Sequence, residues 1–187
     1  MSSPSLTPPG DLTARARIRN EAFSLYAIQG EERVSMRAVA AAAGVTIGLV
    51  QHHFGTKEGL RRSVDEYVVE HFVEALAGVE HTGTAAEVVA ARDGAVRTML
   101  QENPLVVRYL LRMLLEPETR GAFVLGQLVD LTVQEIRRLR EAGFASTTTP
   151  EPVQVVRTIL GQIGEHALEP MVGAVWKRVG GSDADRP

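Results

Sequence analysis

Residues 35–60 read SMRAVAAAAGVTIGLVQHHFGTKEGL, and the order of caps, alanines and glycines in this stretch decides the fold. Ser35 is a residue type that caps a helix N-terminus. The alanine-rich run from Met36 to Ala43 that follows removes side-chain bulk where a second helix must cross closely. Gly44 supplies the positive φ of a tight helix-ending turn. Val45 is apolar and packs inward. Thr46 caps a second helix running to about His53, and Phe54 closes the unit against its core. Thr56 then caps a third. Two short helices, a glycine turn and a third capped helix are the layout of a helix-turn-helix, whose second helix can be laid in a DNA major groove.

Working outward, a helix is expected from Leu12 or Thr13 to Gln29, with Ile18, Ala22, Phe23, Leu25 and Tyr26 near helical spacing and Gly30 as its stop. The Ser- and Pro-rich start, residues 1–11, reads as a disordered tail, and so do residues 181–187. The helix after Thr56 is expected to reach Val79, its inner stripe being Leu60, Val64, Val68, His71, Phe72 and Ala75. Thr84 and Glu87 make a capping box for a helix towards Glu102. Asn103-Pro104 reads as a cap plus a first-turn proline for the next helix, and Glu116-Pro117 ends the apolar run LVVRYLLRMLL. A helix from Glu118 to Ala142 stops at Gly143, ASTTTPEP is a loop, and two final helices span Glu151–Ala167 and Leu168–Val179. The expected fold is all-α: a helix-turn-helix domain over 12–55 and a larger helical domain over 56–180.

The 187 residues hold one sizeable core or two small ones, and 44% hydrophobic with 23% charged residues is an ordinary globular balance. The absence of cysteine removes disulfides and thiolate metal sites. With no signal-like start and no apolar run of spanning length, a cytoplasmic address is expected. Net charge is −3, unevenly spread. Residues 1–62 carry eight Arg or Lys against five acidic residues, and residues 63–187 carry twelve against eighteen. The basic surplus falls on the helix-turn-helix, as nucleic-acid binding requires, although two solvated surfaces can also differ this much by chance.

From Thr13 to Phe72 the chain resembles the DNA-binding domain of the TetR family of bacterial transcriptional regulators, through RIRNEAFSLYAIQG, the helix-turn-helix and HHFGTKEGL in order. The resemblance covers about a third of the chain. It implies that Arg37 reaches the major groove, where a guanidinium can bond guanine O6 and N7 together; the alternative is a solvated arginine. It implies an outward face of Thr46, Ile47, Gly48, Leu49 and His52. Ile47 and Leu49 can meet thymine methyls while Gly48 admits the backbone, or else the two apolar residues pack on a neighbouring helix. The family places a tyrosine where this chain has Gln51, and His53 matches a position near the phosphate backbone. Thr56 and Lys57, with backbone N–H groups and a lysine charge at a helix start, form a phosphate site on physical grounds alone.

No metal site is expected from His52 and His53, which as helix neighbours point about 100° apart. Neither a cofactor motif nor a nucleophile–base set is present, so no enzymatic activity is expected. For the body, the resemblance implies a small-molecule effector pocket among the middle helices and a homodimer built by the last two. Met99, Tyr109, Met113, Phe123, Leu128 and Trp176 offer soft or aromatic lining, though such residues at helical spacing also make plain core. Val153, Val156, Leu160, Ile163 and Ala167 form one apolar stripe, and Leu168, Met171, Val172, Val175 and Val179 a second. Arg108 and Arg112 read as surface charge or as partners of an acidic ligand group. The resemblance thus implies a ligand-responsive regulator, with partners double-stranded DNA, a second copy of the chain and an apolar or amphipathic effector, and no membrane is expected. The competing class is a helical ligand-binding protein or enzyme that keeps the module only as structure.

Overall fold

The computed structural model describes the backbone of residues 9–115 and 122–178 and the side chains of 13–113, 123–164 and Arg178. Among these residues all regular structure is helical. The elements are α1 (Pro9–Gln29), one 3₁₀ turn (Glu31–Arg33), α2 (Met36–Ala42), α3 (Ile47–Phe54), α4 (Lys57–Ala77), α5 (Ala85–Glu102), α6 (Pro104–Leu115), α7 (Ala122–Glu141) and α8 (Glu151–Arg178).

Several expectations shift. α1 begins at Pro9, ahead of Leu12, because a proline lacking N–H fits a first helical turn whose N–H groups have no intrahelical acceptor. Asn103 does not cap α6: its side-chain amide donates to the Met99 carbonyl at 2.8 Å and so closes α5. Pro104 does start α6. The two final helices are one, α8, continuous through Ala167-Leu168. Ala167, Leu168 and Glu169 are strong helix formers with no turn residue among them, and Pro170 removes only one backbone hydrogen bond. Glu116-Pro117, the predicted start of the next helix at Glu118, residues 1–8 of the first predicted tail and all of the second lie outside the described residues.

The chain divides into two compact units. One takes the described residues up to His71 together with those of 108–124. Its core is Ile18, Ala22, Phe23 and Tyr26 of α1, Val39 of α2, Val50 of α3, Leu60, Val64 and Val68 of α4, and Tyr109 and Met113 of α6, all buried. Phe23 meets Tyr67 edge-on at 5.6 Å. The other takes 72–107 and the described residues from Leu125 on. There Val88, Val96, Met99, Leu100, Leu128, Ile136, Leu139 and Val155 are buried. Buried Arg92 of α5 pairs with Glu135 of α7 and donates to His81 Nε2 at 2.9 Å, tying the α4–α5 connection to both helices.

Candidate nucleic-acid interface

α2 and α3 are set by the caps that the sequence supplies. The Ser35 hydroxyl accepts from Ala38 N at 3.1 Å, and the Thr46 hydroxyl accepts from Leu49 N at 3.3 Å. Between them Gly44 stands at φ 62° and Val45 N donates to Ala40 O at 2.9 Å. Val39, Ala40 and Ala43 of this turn unit are buried, and so are Val50 and Phe54 of α3. Because the buried pair occupies one arc of α3, the opposite arc is left to solvent. Gly48 and His52 centre that arc, Gln51 flanks it, and Leu49 and His53 are half-buried at its other edge. Ile47, at 37% exposure, borders the buried arc. Arg37 is exposed near the start of α2. A Cβ on Gly48 would meet nothing nearer than the Thr46 hydroxyl at 3.9 Å, so no contact inside the chain calls for glycine there.

The joint between α3 and α4 is tighter than the sequence suggested. Gly55 ends α3 at φ 68°. Thr56 caps α4 as expected, its hydroxyl accepting from Gly59 N at 3.1 Å. The Thr56 N–H is not free, however, since it donates to Phe54 O at 2.8 Å. The first-turn N–H groups from Lys57 onward remain outside the helix ladder. The Lys57 ammonium donates to Glu31 O at 2.7 Å, a contact that fixes its position and leaves two of its three donors. Gly59 was not singled out by sequence reasoning. A Cβ there would lie 2.2 Å from Phe54 O, so only glycine fits. The Arg15 guanidinium sits 5.3 Å from the centroid of the Phe54 ring, which brings a basic residue of α1 beside this joint.

Sequence reasoning also missed an ionic cluster in the same unit. Arg61 and Asp65 of α4 are buried, and Arg61 donates to Asp65 Oδ2 at 2.7 Å. Arg61 also pairs with Glu58 and lies 3.9 Å from Glu31 Oε2. Tyr109 of α6 donates to Asp65 Oδ1 at 2.5 Å. Burial pushes the Asp65 carboxyl up to about 6, against the pull of Tyr109 and Arg61. Burial likewise raises the Tyr26 and Tyr109 phenols, and the bond from Arg61 holds Glu58 below the usual carboxylate range. Arg112, rather than awaiting a ligand, donates to Ala27 O at 3.0 Å and Ile28 O at 2.7 Å at the end of α1. The spacing 61, 65, 68, 72 was the available signal: two charges at helix-neighbour positions on a stripe that goes on as Val68 and Phe72.

The residues expected to line a pocket divide between the units. Tyr109, Met113 and Phe123 belong to the first, with Phe123 half-buried under the Arg62 guanidinium. Met99 and Leu128 are buried in the second. The side chain of Trp176 lies outside the described residues. An open cleft of about 240 Å³ in the second unit is lined by Val89, Asp93, Val96 and Arg97 of α5 and Arg157, Thr158, Gly161 and Gln162 of α8, and by none of the five expected residues whose side chains are described. Of the expected dimer residues, Val153, Val156 and Leu160 are 40%, 54% and 66% exposed and Ile163 is half-buried. The side chains of Ala167, Met171, Val172 and Val175 lie outside the described residues.

With this geometry in view, residues 18–64 match the family described as bacterial regulatory proteins, tetR family. The HTH-type transcriptional regulatory protein RaaS of Mycobacterium tuberculosis is 53% identical over 60 residues, which is 32% of this chain and 28% of that protein. The chain thus matches less than a third of this relative's length. Among solved structures, a TetR transcriptional regulator from Chloroflexus aurantiacus J-10-FL superposes with a TM-score of 0.71 at 18% identity, over 89% of this chain and 88% of that one. The fatty acid degradation regulator FadR from Bacillus halodurans gives 0.65 at 17% identity, over 86% and 83%. These likenesses extend the shared fold, a helix-turn-helix domain followed by a helical domain, to most of the chain.

Proposed function

From the match of residues 18–64 to the tetR family of bacterial regulatory proteins, we propose that this protein is a transcriptional regulator that binds a palindromic operator as a homodimer. In this reading it acts as a repressor and leaves the operator when a small apolar or amphipathic effector binds its helical body. The observation that carries DNA binding is α3 itself: a capped helix whose buried arc is Val50 and Phe54 and whose open arc presents Gly48, Gln51 and His52.

The roles divide by chemistry. Arg37 is the polar base reader, while Ile47 and Leu49 meet thymine methyls and Gly48 admits the backbone to the groove floor. Thr46, Gln51, His52 and His53 supply further polar contacts. Thr56 and Lys57 bind phosphate at the start of α4, through the first-turn N–H groups and the lysine charge. The exposed stripe Val153, Val156, Leu160 and Ile163, continued by Ala167, Met171, Val172 and Val175, is the dimer seam. Two copies would then present two α3 helices to successive major grooves, about 34–36 Å apart. An effector acts only by binding one spacing of the two readers better than another. Met99, Tyr109, Met113, Phe123, Leu128 and Trp176 remain the proposed lining of its site.

Selection of bound sequences from a random DNA pool tests the reading. Recovery of a two-fold symmetric sequence, bound with a steep salt dependence, is the expected result. Enrichment of no sequence would reduce the helix-turn-helix to a structural module.

A further inference from the structure

The unit that carries α3 contains a buried ionic cluster that neither base reading nor phosphate binding employs. Asp65 is fully buried, with one carboxylate oxygen on Arg61 and the other on Tyr109. The groups that interact with it electrostatically are Tyr26 from α1, Glu31 from the 3₁₀ turn, Glu58 and Arg61 from its own helix and Tyr109 from α6. Three carboxyls thus surround one guanidinium. Arg62 also acts electrostatically on Glu58, and the Lys57 ammonium is held on the Glu31 carbonyl oxygen. A carboxylate withdrawn from water is relieved by taking up a proton, and among the three carboxyls, of which Glu58 is exposed, Asp65 is the one fully buried.

We propose that Asp65 is a proton-responsive positioning residue: ionised, it holds Tyr109, and with it α6, against α4; protonated, it lets that contact loosen. DNA binding, on the reading given above, then carries a proton-linked step. A hydroxyl donating to a carboxylate makes a bond roughly twice as strong as one to a neutral acceptor. The Tyr109 hydroxyl lowers the proton affinity of Asp65, so by reciprocity ionisation of Asp65 strengthens the Tyr109 contact. Burial works in the opposite sense and sets the titration near 6, within reach of a modest acidification. Arg112 sits one turn further along α6 and holds the last carbonyls of α1. α6 is therefore fastened to both helices that frame the reader, and of these two fastenings only the bond from Tyr109 ends on a titrating carboxyl.

The test compares the full-length protein with Asp65→Asn, in which the side chain still accepts from Tyr109 but cannot titrate. Binding to a duplex recovered by random-pool selection is measured from about pH 7.5 to about pH 5.5, where histidines also charge. Any general effect of acidification on phosphate attraction acts in both proteins alike and drops out of the comparison. Relative to the variant, the unaltered protein is expected to lose about three- to tenfold in affinity over this range, a coupling of up to one pKa unit. Parallel curves overturn the proposal. Should Asp65→Asn not fold, carbon-13 titration of the Asp65 carboxyl in the unaltered protein and in Tyr109→Phe decides. A midpoint near 6 that rises on loss of the hydroxyl is expected, and a midpoint in the range of exposed aspartates, or one unmoved by Tyr109→Phe, overturns it. If neither protein binds any selected duplex at any pH, the DNA-binding reading falls, and the carboxyl titration alone judges the Asp65–Tyr109 coupling.

Discussion

α4 buries charge and α8 exposes apolar side chains, so each breaks the inside–outside rule in its own direction. Arg61 and Asp65 stand inside and are satisfied there, by each other, Glu58 and Tyr109. Val153, Val156 and Leu160 stand outside, left exposed among the described residues. A buried ion can be satisfied within one chain, whereas an apolar stripe is satisfied only by another surface. The difference predicts which variable moves each region: pH for the first, protein concentration for the second.

The largest effect is expected at the stripe. Leu160→Arg places a charge in the proposed seam and should weaken dimerisation by about 3–5 kcal/mol, giving monomers in sedimentation at micromolar protein. An unaltered protein that is already monomeric there would leave α8 without its second surface and break the comparison. The charged interior comes next. The Asp65 carboxyl is raised in the fold above its unfolded value, so its ionised form costs stability above the folded midpoint near 6. That cost is relieved as pH falls through 6 towards 4. Acidification across this window should therefore raise the melting temperature in the unaltered protein more than in Asp65→Asn, by up to about 2–3 kcal/mol of stability. Equal responses would show that the cluster titrates elsewhere.

DNA binding sharpens the contrast by adding a third variable, salt. Arg37→Ala should cost about 1–3 kcal/mol for each guanine it pairs with and relax preference at particular base pairs. Lys57→Ala should weaken all sequences alike and flatten the salt slope by roughly 0.9 for each phosphate that the lysine neutralises. A binding series over salt and sequence distinguishes the two, and uniform weakening in Arg37→Ala would move base reading to other residues. The smallest effect is at Tyr26, whose buried hydroxyl has no hydrogen-bond partner among the described residues. Removing it as Tyr26→Phe should leave stability unchanged or raise it by less than about 1 kcal/mol, because no bond is broken and one desolvated group disappears. A clear drop in melting temperature would reveal a hydrogen bond at that hydroxyl.

The helix-turn-helix was legible because its signals are local. Ser35, Gly44, Thr46 and Thr56 act within three or four residues of themselves, and as caps and turn residue all four behave as read. Thr84 and Glu87 form their reciprocal box for the same reason. Longer-range facts were hidden. Lys57 reaches Glu31 across 26 positions, Tyr109 reaches Asp65 across 44 and Arg112 reaches Ala27 across 85. No spacing rule links such residues before the fold does. The break expected at Leu168 failed differently, because Ala167, Leu168 and Glu169 are helix formers and no local stop signal stands among them. At the candidate interface, the exposed arc of α3 follows from its 3.6-residue period once Val50 and Phe54 are inside. That the Thr56 N–H is occupied, and that Gly59 is sterically required, depends on how α3 turns into α4.

The close approach at Gly59 makes that turn a joint without backlash. With the first turn of α4 pressed against the last carbonyl of α3, and Thr56 bonded across the corner, no slack remains for one helix to rotate before the other follows. A displacement delivered along α4 would have to move α3 with it, and a larger residue at position 59 would act as a shim that resets the angle at which the reader is held.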